Sequence, residues 1–214
     1  VAPMLTGSDA CGGVGAVPNV IWINEFHYDN VGADAGEFVE VAGTAGLNLS
    51  DYELYLYNGN GGLKYVPTTT LSGVIDNEAG GFGAVSFAYA SNGIQNGAPD
   101  GIALYQISTN MVLQFLSYEG VFQAMDGPAN GMLSTDIGVL EVGSEPVGLS
   151  LQLTGTGQVA ANFNWVGPIA QSPGTLNVGQ TITPLPSSIA AVAMQSEVPG
   201  ACAGSRIVTR TWTI

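Results

Sequence analysis

Positive charge is what this sequence has least of. Its 214 residues hold three basic side chains, Lys64, Arg206 and Arg210, and one histidine, His27, against 17 carboxylates. A formal net charge of −14 repels phosphate backbones and anionic bilayers, which argues against nucleic acid as a partner and against membrane-surface binding. It keeps a glycine-rich surface soluble and attracts divalent cations. Cysteine is scarce too: Cys11 and Cys202 stand near opposite ends. No run approaches the roughly 18 uninterrupted apolar residues of a spanning helix, so no membrane insertion is expected. Helical periodicity is nearly missing, and its best candidate, Ser188–Met194, is too short to stand alone in water. Nothing repeats at about 20 to 50 residues, which sets aside solenoids and propellers.

What is present is apolar, glycine-rich and alternating. Apolar residues make up 46% of the chain, charged residues 9%, and the 31 glycines and 11 prolines suit many short strands joined by tight turns. The stretch Val20–Gly59 reads as three strands with a period of two. Val20, Trp22 and Asn24 alternate with Ile21, Ile23 and Glu25; Glu37–Ala42 follows; then Tyr52, Leu54 and Leu56 oppose Glu53, Tyr55 and Tyr57. Asn60-Gly61 signals a hairpin, and Pro67 pushes the returning strand Leu63–Leu71 to a sheet edge. Phe82–Ala90, Gly101–Ile107, Met111–Tyr118, Leu149–Leu153, Asn162–Trp165 and a short strand before Ile182 follow, and most of them are expected to supply a second sheet that covers the first three strands. Glu119–Glu145 is a long Gly- and Asp-rich loop of functional or capping character. Thr183–Ser188 is a linker by composition, and Ala190–Val198 and Arg206–Ile214 read as two further strands.

The middle block resembles the bacterial branch of the lamin-tail domain family. The residues that carry the likeness are Ile23–Asn30 (INEFHYDN), Gly36–Gly43 (GEFVEVAG), Leu49–Gly59 (LSDYELYLYNG), Ala98–Tyr105 (APDGIALY), Gln114–Gly120 (QFLSYEG) and Asp126–Met132 (DGPANGM). Ser134–Val139, Ser150–Gly157, Phe163–Trp165 and Pro173–Ile182 continue it, so it spans roughly residues 20–182. The resemblance implies an all-β, immunoglobulin-like sandwich that accompanies secreted or surface proteins and has no catalytic residues of its own. Ala2–Gly13 and Val198–Ile214 resemble the two halves of a hyalin-type, immunoglobulin-like repeat found in tandem in bacterial surface proteins. The implied organisation is residues 1–18 and 184–214 as a small flanking module, with 19–183 as a sandwich inserted into it. A Cys11–Cys202 disulfide would join the halves; closing so long a loop is worth at most roughly 5 kcal/mol.

Several residues are candidates for chemistry. His27 and Glu25 share a strand face at i−2 and could serve as acid and base; no Ser or Cys nucleophile motif accompanies them, and the plain alternative is a surface histidine at a strand end. Asp29, Asn30, Asp34 and Glu37 offer oxygen ligands at one loop, which suits calcium as a cofactor, though their spacing matches no EF-hand. Glu37 and Glu40 point to opposite faces, so at most one joins that loop. Asp126 and Asp136 mark a second calcium candidate. The plain alternative is Asx turns with solvated glutamates. Trp22, Tyr55, Tyr57 and Tyr65 form either a sugar-stacking platform or ordinary core. Glycoside hydrolysis would need two acids about 5 to 10 Å apart in an aromatic cleft. Arg206 and Arg210 share a strand face and either pair with a neighbouring module or guard an edge.

The expectation is a non-catalytic extracellular or cell-surface module for adhesion, anchoring or spacing, exported and mature in form. Its partners would be neighbouring modules or subunits of the same protein, or a surface glycan or protein ligand. The strand Arg206–Ile214 is a candidate for completing a sheet in the next subunit of a fibre. An accessory domain of a secreted hydrolase is the alternative.

Overall fold

The computed structural model describes residues 19–184, together with the backbone of two strands nearer the C-terminus. The chain divides into two compact units, Pro18–Leu185 and a second that combines residues 1–17 with 186–214. Cys11, Cys202 and the pairing expected of them lie outside the described residues.

The larger unit is an all-β sandwich. Its strands are β1 (Ile21–His27), β2 (Phe38–Thr44), β3 (Tyr52–Asn58), β4 (Leu63–Thr70), β5 (Phe82–Ala88), β6 (Asp100–Gln106), β7 (Met111–Tyr118), β8 (Thr135–Asp136), β9 (Leu149–Gly157), β10 (Phe163–Ala170) and β11 (Gln180–Ile182). Single-turn 3-10 helices stand at Leu49–Asp51 and Ala160–Asn162. One sheet runs β10-β9-β1-β2-β5, with β11 added parallel to β9; the other runs β4-β3-β6-β7-β8. Pro67 lies in β4, which is an edge strand as its proline requires. In the second unit β12 (Val192–Pro199) and β13 (Arg206–Thr213) pair antiparallel in unbroken register.

Three apolar clusters follow from strand alternation. The central one, between the sheets, joins Ile23, Phe26, Tyr28, Val39 and Val41 to Leu54, Leu56, Ile102, Leu104 and Tyr118. Each sheet is also covered on its outer face. Trp22, Phe82, Leu153, Phe163 and Ile182 pack outside the first sheet, and Tyr57, Phe115, Phe122 and Ala129 outside the second. Covering both faces is why every residue of β2 is buried.

Strict alternation fails at one point in β1. Ile23 pairs with Val41 but Glu25 pairs with Glu40, so Asn24 is an extra residue, a β-bulge. The bulge reverses the phase of the strand: Ile23, Phe26 and Tyr28 all face the central core, while Glu25 and His27 turn to the other side. The face shared by Ile23 and Glu25 in the alternating reading is therefore split.

The long loop after β7 is the outer cover of the second sheet and is docked on the β3–β4 hairpin. Met125 N–H donates to Gly62 O at 2.7 Å. Gly62 has φ +70, and a Cβ there would stand 2.2 Å from the Gln123 carbonyl oxygen, whereas Gly46 (φ +87) faces open space. Gly62→Ala should therefore cost about 2–3 kcal/mol, the left-handed penalty plus displacement of the loop, against about 1 kcal/mol for Gly46→Ala. Urea unfolding of the two variants checks this; equal losses would mean the loop is not seated on the hairpin.

Candidate functional site

The loop between β1 and β2 gathers all four residues read as calcium ligands, and all four are buried. Each oxygen set already has work. Both Glu37 oxygens accept backbone donors, from Gly93 N–H and Ile94 N–H at 2.8 Å. Asn30 closes the loop internally: its Oδ1 accepts from Ala35 N–H at 2.8 Å, and its Nδ2 donates to the Val31 and Ala33 carbonyls. Asp34 accepts from Asn30 N–H and from Asn96 Nδ2. Asp29 faces Asp34, and burial together with that neighbouring carboxyl pushes its pKa above the ordinary aspartate range. Glu40 joins a different cluster, as expected. Asp126 receives Lys64 N–H at 2.7 Å and Asp136 receives Gly138 N–H at 3.0 Å, turn contacts in separate places. Among the described residues no group of three or more His, Cys, Asp or Glu is set to hold a metal ion.

His27 is not a surface residue; it is fully buried. Its acidic partner is Glu141, from the long loop, with Nδ1 2.8 Å from Oε1. Nε2 stands 3.2 Å from Asn30 Oδ1, whose amide is oriented by the two carbonyls its Nδ2 serves. Both ring nitrogens thus face acceptors, the arrangement of a doubly protonated imidazolium. Burial opposes the charge, but the Glu141 hydrogen bond and charge, with Asn30, more than offset it, and the His27 pKa lies above its ordinary value. A base needs a free lone pair, and this ring has none to offer. The second Glu141 oxygen accepts from Tyr28 N–H and Asp29 N–H at 2.7 and 2.9 Å. One carboxylate from the long loop therefore fixes the end of β1 and the start of the next turn. Sequence spacing carried no sign of it, because 114 positions separate His27 from Glu141.

Glu25 belongs to a second buried cluster, outside the first sheet. It stands directly across from Glu40 on β2, and both are fully buried. Glu25 collects Ser150 Oγ, Ser172 N–H, Ser172 Oγ and Gln152 Nε2. Glu40 has only Asn24 Nδ2 and Gly174 N–H, at 2.9 and 2.6 Å. Burial, aided by the Glu25 and Glu78 charges, pushes the Glu40 pKa up to about 8. Glu78 accepts from Leu176 N–H at 2.7 Å. The amides at 172, 174 and 176, around a turn closed by Thr175 N–H to Ser172 O at 3.2 Å, are therefore held by three carboxylates, Glu25, Glu40 and Glu78.

Of the four aromatics read as a sugar platform, Trp22 and Tyr57 are core, and Tyr65 donates its hydroxyl to no sugar-facing group but accepts Gln95 N–H at 2.8 Å. Tyr55 lies half-buried on the outer face of the second sheet, packed against the cluster that holds Tyr57 and edge-on to Tyr105 at 5.9 Å. Comparison of the chain with family models, curated proteins and solved structures finds no match, so the likeness to the lamin-tail and hyalin-type families rests on the residues quoted for it.

Burial also raises the pKa values of Glu25, Glu37 and Asp29, and takes Asp100 to about 6. A carboxyl whose folded pKa exceeds its unfolded value binds more protons in the folded state, so stability falls as pH rises between the two values. A raised His27 acts in the same direction: its contribution is present below about 6.5 and is lost as pH rises through the folded value. The melting temperature should accordingly fall from pH 5 to pH 8.5, and Glu40→Gln should flatten that fall and raise the pH 8 value by about 5 °C. Thermal melts across the range check both; a profile rising with pH would mean the buried carboxyls are ionised at little cost.

Asp34→Asn removes the like charge beside Asp29 while leaving an oxygen for Asn30 N–H. Its melting temperature at pH 7 should rise by about 2–4 °C. A loop built around calcium would behave oppositely, losing stability in the variant and showing a calcium-dependent melt in the parent.

Proposed function

We propose that this is a non-catalytic module of an extracellular or cell-surface protein, serving adhesion, anchoring or spacing, within a tandem-repeat stalk or fibre. One observation carries the reading: the side chains with acid–base capacity are spent on holding the fold. His27 has both nitrogens engaged, and Glu25 lies under the 171–177 segment with four donors on it. The mechanism is geometric. Loops pinned to strands by carboxylates transmit force without yielding, and partners are contacted at edges and loop tips. Neighbouring modules or subunits of the same protein are the partners this favours. No described helix is long and apolar enough to cross a membrane, and the excess of carboxylates gives nucleic acid no purchase.

A second reading, an accessory glycan-binding domain of a secreted hydrolase, is favoured by the Tyr55–Tyr105 pair. Tyr55 Oη donates to Glu53 Oε2 at 2.7 Å and Tyr105 Oη to Asn110 Oδ1 at 2.6 Å, which sets polar groups beside two ring faces.

The purified chain is expected to show no hydrolysis of glycan, phosphoester or nucleic-acid substrates above buffer. Turnover that disappears in both Glu25→Gln and His27→Gln would overturn the non-catalytic reading. Glycan-array binding lost in Tyr55→Ala would select the accessory-domain reading instead.

A further inference from the structure

The sandwich protects its strand edges unevenly. β4 carries Lys64 and Pro67; β10 carries Pro168 and a register break between Val166 and Ile169; β5 has Glu78 against its Ala84 N–H at 2.7 Å. These are recognised ways of blunting an edge. Over Met111–Phe115 β7 carries no lysine, proline or inserted carboxylate, and its one irregularity is a bulge at Leu113. β8 pairs with β7 only at Leu116 and Ser117, so among the described residues no strand is paired through its main chain with the sequence Met-Val-Leu-Gln-Phe; β1 is the nearest, its Ile23 N–H donating to Gln114 Oε1 at 2.6 Å.

That bare edge opens onto a groove. Two adjoining cavities of about 400 and 430 Å3 share Leu113, Gln114, Ala160 and Ala161. Their walls are mostly apolar, from Val20–Trp22 on one side to Phe163 and Trp165 on the other. Leu113 is the extra residue of a second β-bulge, between the pairs Leu104–Gln114 and Tyr105–Val112. A bulge re-aims a side chain, and this one places Leu113, 37% exposed, in the lining of both cavities. Met111, 57% exposed, stands at the open end. Unpaired main chain beside an apolar trough is the receiving geometry for an added strand.

Charge identifies what would fill it. The sandwich unit holds 15 of the 17 carboxylates, all but Asp9 and Glu197, against one lysine. Carboxylates mark both ends of the open edge: Asp51 is bonded to Gln106, the partner of Met111, and Asp136 is paired with Ser117. Both arginines of the chain are in β13, alternating with Ile207, Val208 and β-branched threonines. β13 is paired along one side by β12, and among the described residues no third strand joins that sheet.

We infer that the β7 edge and its groove receive β13 of a second copy of this chain, extending β4-β3-β6-β7 into a sheet that crosses from one molecule to the next. The inference rests on the module reading above and adds to it the receiving surface and the donor strand. Because donor and acceptor are different surfaces, the contact is head-to-tail and propagates rather than closing on itself.

The test is sedimentation of the full 214-residue chain over a range of concentrations, comparing the parent with Leu113→Lys, Met111→Lys and the double variant Arg206→Glu/Arg210→Glu. The parent is expected to associate reversibly, less so at high salt, and each variant to weaken association at least about tenfold. Met111→Lys stands in if Leu113→Lys loses its folded circular dichroism. A fluorescent peptide of residues 206–213 should bind the parent and not the β7 variants. A parent that stays monomeric throughout, or association untouched by the β7 variants, overturns the inference. Neither result disturbs the non-catalytic module reading, which falls only to the turnover assay.

Discussion

The structure depends on backbone N–H groups standing in for cations. With one lysine in the sandwich unit, carboxylates that enter the fold have no side-chain counter-charge apart from His27. A buried carboxylate without partners is prohibitively unstable. Here donors come from amides brought in from far along the chain: Gly93 and Ile94 to Glu37, Gly174 to Glu40, Ser172 to Glu25, Gly59 and Gly97 to Asp100, Tyr28 and Asp29 to Glu141. Hydrogen bonds from N–H to an ionised acceptor are among the stronger ones. Each also fixes a loop that would otherwise carry unsatisfied main chain under the sheets. The same bonds that make burial tolerable therefore fasten the covers of the sandwich.

This economy explains why both outer faces are closed. Segment 171–177 lies over the first sheet because three carboxylates hold its alternate amides, and Leu176 and Ile182 then pack on the cluster around Trp22. The long loop lies over the second sheet through Gly62 and Tyr57, and is closed on itself by Ser134, whose hydroxyl accepts Phe122 N–H at 3.0 Å. Neither cover is a regular element, and neither would stay down by apolar contact alone. Two carboxyls, Glu25 and Glu40, face each other at the centre of the first cover. Their donor sets are unequal, four donors on Glu25 and two on Glu40, and burial raises both pKa values, that of Glu40 to about 8.

The sequence carried the strands and the edge of the second sheet openly. Alternation located the start of every long strand of the sandwich to within one residue but ended β9 at Leu153 and β10 at Trp165, short of Gly157 and Ala170; Asn60-Gly61 marked the hairpin, and Pro67 marked the outermost strand. What stayed hidden were the register breaks, the bulges at Asn24 and Leu113 among them. One inserted residue has no periodic signature, so nothing in Ile23-Asn24-Glu25 announces that the strand changes phase there. The candidate loop was legible as a cluster, since Asp29, Asn30, Asp34 and Glu37 do come together. Its chemistry was not, because the groups that occupy its oxygens, at Gly93, Ile94, Asn96 and Glu141, are set by topology. His27 was misjudged for the same reason. A lone histidine at a strand end suggests solvent until a glutamate arrives from a loop that sequence alone leaves unplaced.

Closing both faces has a consequence for recognition. A sandwich with one bare sheet face can bind broadly on it; this one covers much of both outer faces, leaving the Tyr55–Tyr105 pair half-buried on the second. What remains for a partner is the rim, where strands end and sheets stop. Three of the rim strands are blunted by lysine, proline, a register break or an inserted carboxylate. Over Met111–Phe115 the edge of β7 has no main-chain partner among the described residues, and its bulge puts Leu113 in the lining of the groove. A fold that hides its carboxylates beneath loops while leaving one apolar strand edge open concentrates its contacts in one direction. The head-to-tail contact inferred above would draw on that asymmetry, to which Leu113 contributes as the extra residue that enters the groove lining.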